Sequence, residues 1–417
     1  MKLPQSIKQL NIHVNGVRYG DLRHGSHFLY LPEFATSRPV SLTMTDYKPD
    51  GFTLGTLHPV FAQNLPEGSN RRFIQQKLAR YAKVNDMYLL ALQGDNGIGM
   101  LGYSTKELDL PQVESIPLDD ILSYSGSKPI FPELLERYYL RNSLSGMQPK
   151  ISLINSEVKN KDADDGQDLM FGRTIQQKDF IVKTFDEHDL LTVNEFVCME
   201  AARHCGISTP KTYLSENLEN FVVERFDRVG DVRYGLEDFV TLMKLPNSDD
   251  AKYIGSYENV LKATKMYTGS QEQVDKVYKY IVFNAMIGNG DAHLKNFALQ
   301  YSPDIKDVHV SPIFDVTHTK VYPLIPSEMA LKMDKSKSWP DRNTLMKLAE
   351  GKDYSVKDPR EIIDSVAEGI HESVSRSQEA TLLKGLKESI DSHVTKVHGS
   401  QYSSKSYRHD KKRKFDF

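Results

Sequence analysis

Gly288-Asn289-Gly290-Asp291-Ala292-His293-Leu294-Lys295-Asn296-Phe297 is the stretch on which the reading of this chain turns. It follows an apolar run with helical spacing over 274–287, and two glycines break that helix just before Asp291. Transfer of a phosphoryl group to a hydroxyl needs an acceptor for the hydroxyl proton and a metal ligand beside it. An Asp followed five residues later by an Asn supplies both, and Asp291 and Asn296 have that spacing. Taken alone, such a stretch is also an ordinary Gly/Asp/Asn turn. His293 and Lys295 lie inside it, His293 as a brace of the loop and Lys295 as a phosphate contact.

A second metal-binding carboxylate is then required. Asp315 closes Val310-Ser311-Pro312-Ile313-Phe314-Asp315, read as the end of an apolar strand. Protein kinases place a metal-binding Asp comparably after their catalytic loop. Mg²⁺ prefers oxygen ligands and keeps several waters, so Asn296, Asp315 and phosphate oxygens suffice. Upstream, Phe180-Ile181-Val182-Lys183 reads as a strand carrying a Lys among apolar neighbours. Burying it is costly unless it meets an anion such as an ATP phosphate; the alternative is an edge-strand Lys facing solvent. Glu195, near the start of a helix over 193–207, is positioned to pair with Lys183, although an acidic residue there also suits the helix dipole. Ser143-Leu144-Ser145-Gly146-Met147-Gln148-Pro149-Lys150 precedes a strand, and its small residues would let backbone N–H groups approach phosphates. It lacks the Walker ending and by itself is a weak candidate.

The rest of the chain sets bounds. Its 417 residues point to two or three packed units, and 39% hydrophobic with 26% charged residues excludes a wholly disordered chain. A net charge of −3 gives no global basic field to hold nucleic acid. Cys198 and Cys205 share one helix at a spacing too long for a disulfide, which reads as buried reduced thiols and a reducing compartment. No apolar run is long enough for a membrane span, and the N-terminus lacks a signal-peptide core. A cytoplasmic protein is expected.

Along the chain, 10–22 and 27–34 alternate as strands around Gly and Asn turns, 70–84 has helical spacing, and 87–104 reads as two strands around a turn. Strands follow around 179–185, 212–216 and 220–229. The chain is helical from 237 onward, with another short β region after Asp315 and then helices to about 396. The tail, 403–417, carries six Lys or Arg against two Asp and reads as disordered. Trp339, the one tryptophan, reads as a packing residue.

Together these motifs resemble the HipA family of serine/threonine kinases, the toxins of bacterial toxin–antitoxin pairs. The resemblance rests on 143–150, Val182-Lys183, Asn194-Glu195, Glu224-Arg225-Phe226-Asp227-Arg228, Gly290–Phe297 and Phe314-Asp315, with Tyr19-Gly20-Asp21-Leu22 and the region 64–72 resembling the first module. It implies an α+β, two-lobed protein-kinase-like fold: a β-rich N-terminal subdomain (1–108), an N-lobe-like part with phosphate loop and hinge (109–235), a helical C-lobe with the catalytic loop (236–400) and the basic tail (401–417). It implies ATP and Mg²⁺ as cofactors. Asp291 would be the base and Asn296 and Asp315 the metal ligands. ATP would be held by Lys183, Ser145, Gly146, Gln148, Lys150 and Lys295, with Glu224, Arg225 and Phe226 as a hinge facing adenine mostly through backbone groups. Ser143, with Ser145 second, would be autophosphorylated, and a phosphate there would repel those of ATP and eject the loop. The resemblance also implies a HipB-like helix-turn-helix antitoxin, operator DNA reached through that complex, and an aminoacyl-tRNA synthetase as protein substrate. The rival reading is an antitoxin-bound co-repressor with little catalytic role. A small-molecule kinase is a third, disfavoured by the β-rich first module and the 143–150 segment.

Overall fold

The computed structural model describes residues 3–108 apart from 25, 35–38, 47 and 67, then 116–125, 173–176, 179–184 and 188–399 apart from 247. The phosphate-loop candidate 143–150 and the basic tail lie outside these residues.

The N-terminal module is built on a five-stranded antiparallel sheet, in the order β4-β3-β2-β1-β5. Its strands are β1 (Gln9–Val14), β2 (Val17–Arg23), β3 (His27–Tyr30), β4 (Phe52–Thr53) and β5 (Leu101–Ser104). Asn15 and Gly16, both at positive φ (48° and 80°), close the β1–β2 hairpin, because two left-handed residues match the twist of the strands they join. Helix Gly68–Leu78 falls on the first part of the 70–84 stretch and ends at Leu78, before the spacing predicts. The expectation of two strands over 87–104 is corrected: Asp86–Gln93 is a helix, and only Leu101–Ser104 is a strand. Every residue from Met87 to Gln93 is buried, so the run has no polar face to reveal its period, and Asn85 decides by accepting the Tyr88 N–H at 3.1 Å as an N-cap.

A second sheet runs β6-β7-β9-β8, from β6 (Arg173–Gln176), β7 (Phe180–Thr184), β8 (Thr212–Leu214) and β9 (Phe221–Glu224). Lys183 therefore sits on an interior strand, not on an edge. The helix Leu191–His204 packs on this sheet; Cys198 and Cys205 are both buried and free. Val182 and Val222 join the hydrophobic core of the N-terminal module, so the two sheets share one core.

A short hairpin, β10 (Arg228–Val229) and β11 (Val232–Arg233), leads to a third sheet of β12 (Gly235–Asp238), β13 (Ala298–Tyr301) and β14 (Val308–Val310). The C-terminal lobe is helical: Tyr257–Thr268, Gln271–Ile287, Arg342–Leu348, Pro359–Arg376 and Leu386–His398 surround a second core. The expected β region after Asp315 is corrected as well. Among the described residues that stretch holds a 3₁₀ turn, Thr319–Val321, and isolated bridges.

The first module is fastened to the rest by arginines. Arg225 donates to the carbonyls of Asn96 (2.9 Å) and Gly97 (2.7 Å), and Arg228 to that of Asp95 (2.9 Å). Arg233 donates to the carbonyls of Gly99 and Leu101 (3.0 and 2.5 Å). On a second seam the buried Glu237 carboxylate accepts from Leu42 N–H (2.8 Å), Ser41 Oγ (2.9 Å) and Tyr301 Oη (2.5 Å).

Candidate active site

The catalytic-loop candidate is set by the helix that precedes it. Helix Gln271–Ile287 ends on Gly288 at φ 78°, a left-handed cap suited to glycine. Thr319 then fixes the loop's entry: its N–H and Oγ1 bond the Gly288 carbonyl (3.0 and 3.1 Å), and its Oγ1 accepts from Gly290 N–H (3.0 Å). Gly290 must be glycine, since a Cβ would lie 2.7 Å from the Glu328 carbonyl oxygen and 2.8 Å from Thr319 Oγ1. Asn289 accepts from Asp291 N–H (3.1 Å) and donates to Asn284 Oδ1 (2.7 Å).

Asp291 presents a mostly buried carboxylate. Its Oδ1 accepts from Tyr253 Oη at 3.1 Å, and its Oδ2 lies 3.9 Å from His293 Nε2, beyond hydrogen-bond reach. Burial pushes Asp291 above the ordinary carboxylate range, and neighbouring Asp315 adds to this, against the pull of His293, Lys252 and the Tyr253 hydrogen bond. His293 opens the 3₁₀ turn Leu294–Asn296 and packs edge-on against the Tyr253 ring at 5.4 Å. Lys295 is half-buried on that turn. Asn296 donates through Nδ2 to the Asp291 carbonyl at 2.9 Å, which leaves Oδ1 as the acceptor end of its amide.

Lys183 spans the two lobes. Its Nζ donates to Glu195 Oε1 at 2.7 Å and to Asp315 Oδ1 at 2.5 Å. Glu195 is 1% exposed, and burial, only partly countered by Lys183, pushes it up to about 7. Burial also pushes Asp315 upward, but the Lys183 ammonium and its hydrogen bond outweigh that and hold the carboxyl below its usual range. Asp315 does not end a strand. β14 stops at Val310 and Asp315 stands at φ 59°, a left-handed conformation that costs about 1 kcal/mol and gathers at functional sites. The preceding Phe314 ring packs on Phe226 at 5.8 Å, joining the hinge candidate to this turn.

The hinge residues divide. Glu224 N–H is committed to the Lys211 carbonyl and Arg225 N–H to that of Asp179 (2.9 and 2.8 Å). The Glu224 carboxylate faces Lys211 Nζ at 3.5 Å. The Arg225 side chain, 0% exposed, forks onto Asp227 (Nε–Oδ1 2.9 Å, Nη2–Oδ2 2.5 Å) and onto the first module. Both side chains are therefore engaged by protein partners.

Thus Lys183, Glu195, Asp291, His293, Asn296 and Asp315 share one site, while Ser143, Ser145, Gly146, Gln148 and Lys150 fall outside the described residues. The motifs missed Lys252 and Tyr253, from the 3₁₀ turn Asp249–Tyr253, which lies 38 residues before the loop and carries no local signal. They also missed the brace behind the loop. Asn194 and His318 bond reciprocally (Nδ2 to O 2.9 Å, N–H to Oδ1 2.8 Å), and His318 Nδ1 meets the Ile287 carbonyl at 2.6 Å.

Residues 142–374 match the HipA-like C-terminal domain and residues 10–104 the HipA N-terminal domain. The chain is 28% identical over 339 residues to "Putative kinase Y4mE" of Sinorhizobium fredii, covering 76% of this chain and 77% of that protein. It is 22% identical over 324 residues to the serine/threonine-protein kinase toxin HipA of Shewanella oneidensis, covering 69% and 72%. A chain of the solved Shewanella oneidensis complex of HipA, HipB and operator DNA superimposes with a TM-score of 0.67 at 18% identity, covering 94% of this chain and 98% of that one. The fold is thereby the two-lobed, kinase-like α+β arrangement.

Proposed function

The chain belongs to the HipA-like family, and on that footing we propose that it is a serine/threonine protein kinase that moves the γ-phosphoryl group of ATP to a protein hydroxyl. The observation that carries this reading is Lys183 held between Glu195 and Asp315, with Asp291 and Asn296 on the loop beside them.

Asp291 takes the proton of the acceptor hydroxyl as it attacks phosphorus; a carboxylate lifted above its ordinary range by burial is a stronger base for that step. Lys183, fixed by buried Glu195, holds ATP phosphates. The donor set fits Mg²⁺: Asn296 offers Oδ1, and Asp315 remains 44% exposed with Lys183 engaging only Oδ1. When bound, the ion supplies charge neutralisation of the phosphates. Lys295 and the 143–150 loop complete the phosphate contacts in this proposal. Adenine lies against Phe226 and the main chain of 224–226, using groups other than the committed N–H donors of Glu224 and Arg225.

Ser143, with Ser145 second, is the proposed site of self-phosphorylation. The proposed partners are a HipB-like helix-turn-helix antitoxin, operator DNA through that complex, and an aminoacyl-tRNA synthetase as substrate, in the cytoplasm. Among the described residues no helix is long and apolar enough to cross a membrane.

The test is incubation of purified, phosphate-free, antitoxin-free protein with γ-labelled ATP and Mg²⁺, beside Asp291→Asn, with phosphosite mapping. Label on Ser143 or Ser145 that vanishes in the variant is the expected result. Nucleotide binding without any transfer would overturn the kinase reading and favour the co-repressor.

A further inference from the structure

The catalytic carboxylate has a partner that no catalytic-loop motif contains. Tyr253 closes the 3₁₀ turn Asp249–Tyr253 and donates its phenol to Asp291 Oδ1 at 3.1 Å. Its ring is held from three sides: edge-on against His293 at 5.4 Å, with Lys252 Nζ 5.2 Å and Lys337 Nζ 5.8 Å from the ring centroid. The chain that follows grips the same loop again. Ser256 caps the helix Tyr257–Thr268, and Tyr257 Oη donates to the Ala292 carbonyl at 3.0 Å. A carboxylate with one oxygen taken by a fixed phenol cannot rotate freely about its terminal bond. Its other oxygen, Oδ2, has His293 Nε2 only at 3.9 Å, so Oδ2 is the oxygen left for an incoming hydroxyl.

We propose that Tyr253 is a positioning residue for phosphoryl transfer, fixing Asp291 so that Oδ2 faces the acceptor hydroxyl. This rests on the kinase reading. The phenol touches neither nucleotide nor acceptor and keeps its proton throughout; the proton released by the acceptor goes to Asp291 Oδ2. The turn that bears Tyr253 is thus part of the active site, and the buried Lys252 beside it (5% exposed) brings a cation to the same pair of carboxylates, Asp291 and Asp315.

The experiment measures initial rates of label transfer from γ-labelled ATP to the protein's own hydroxyls across ATP concentrations, for wild type, Tyr253→Phe and Tyr253→Ala. Phe keeps the ring and its packing and removes the hydroxyl that bonds Asp291. The expected result is a maximal rate lowered about 10- to 100-fold in Tyr253→Phe, the range for losing a hydrogen bond to a charged group, with half-saturation by ATP within twofold of wild type. Equal maximal rates in wild type and Tyr253→Phe would overturn the proposal even if Tyr253→Ala is inactive. So would phosphate mapped onto Tyr253, because the phenol would then be an acceptor. Absence of transfer in wild type would instead count against the kinase reading itself.

Discussion

Lys183 and Asp315 lie 132 residues apart in the chain and 2.5 Å apart in space, with Glu195 2.7 Å away on the other side of the same ammonium. One cation thereby ties the strand β7, the helix Leu191–His204 and the turn that carries the metal-binding candidate. Its loss strands a carboxylate that has almost no contact with water.

Lys183→Met is accordingly expected to lower stability by about 3 kcal/mol, the scale for removing one partner of a buried ion pair. Lys183→Met/Glu195→Gln should recover much of that, so the pair deviates from additivity by about 1 kcal/mol or more. Urea unfolding of the two single variants and the double variant measures the coupling. Additive losses would show that Glu195 does not depend on Lys183.

Arg225 makes a second prediction. Arg225→Ala leaves Asp227 buried without the guanidinium that forks onto it and takes the shorter donors from the Asn96 and Gly97 carbonyls, the latter keeping Arg228 Nη2 at 3.4 Å. A loss of about 3–5 kcal/mol in urea unfolding is expected. Arg225→Lys should recover little of it, because an ammonium cannot reproduce the planar fork.

Glu237 sets a pH dependence. Burial, only partly offset by the hydrogen bonds from Tyr301, Leu42 and Ser41, pushes its carboxyl from 4.5 up to about 7. The folded protein therefore keeps a proton that the unfolded chain has released, and this group's contribution is full below about pH 4.5 and lost as pH rises to about 7. The full effect is about 3 kcal/mol. Glu237→Gln should flatten the fall in stability over that window relative to wild type, measured by urea unfolding at a series of pH values. Parallel curves would exclude Glu237 as the source.

Gly290→Ala forces the loop that carries Asp291 off Glu328 and Thr319. Misplacing Asp291 by a fraction of an ångström is expected to cut phosphoryl transfer at least about tenfold. Binding of Mg²⁺-ATP, followed by calorimetry, should weaken less than transfer does, since Lys183 and Glu195 lie on other elements while Asn296 and Lys295 share the displaced loop.

Much of the site could be read from the chain because its chemistry is local. Asp291 and Asn296 are five residues apart, glycines mark the helix end, and Lys183 announces itself as a charge among apolar strand residues. Tyr253, Lys252 and the Asn194–His318 brace could not be read, because each acts by tertiary approach and none breaks a local pattern. The helix at Asp86–Gln93 reads as strand for a related reason: a segment buried on all sides has no polar face to show its period. The family resemblance makes Glu224, Arg225 and Phe226 a hinge, yet the structure spends Arg225 and the nearby Arg228 on the first module, which residue type alone does not reveal.

Those arginines address main-chain oxygens. The carbonyls of Asp95, Asn96, Gly97, Gly99 and Leu101 receive the guanidinium groups of Arg225, Arg228 and Arg233 whatever side chains the loop carries. Apart from Gly97 and Gly99, where a Cβ would strike Asn64 and crowd Leu236, and Asp95, whose carboxylate faces Arg233 Nη1 at 3.5 Å, the seam is made by main-chain oxygens and not by the loop's side chains. It depends on the loop's length. One residue inserted or deleted between 95 and 101 would move successive carbonyls out of step with donors spaced along the other partner, as a key cut one notch short fails at every pin.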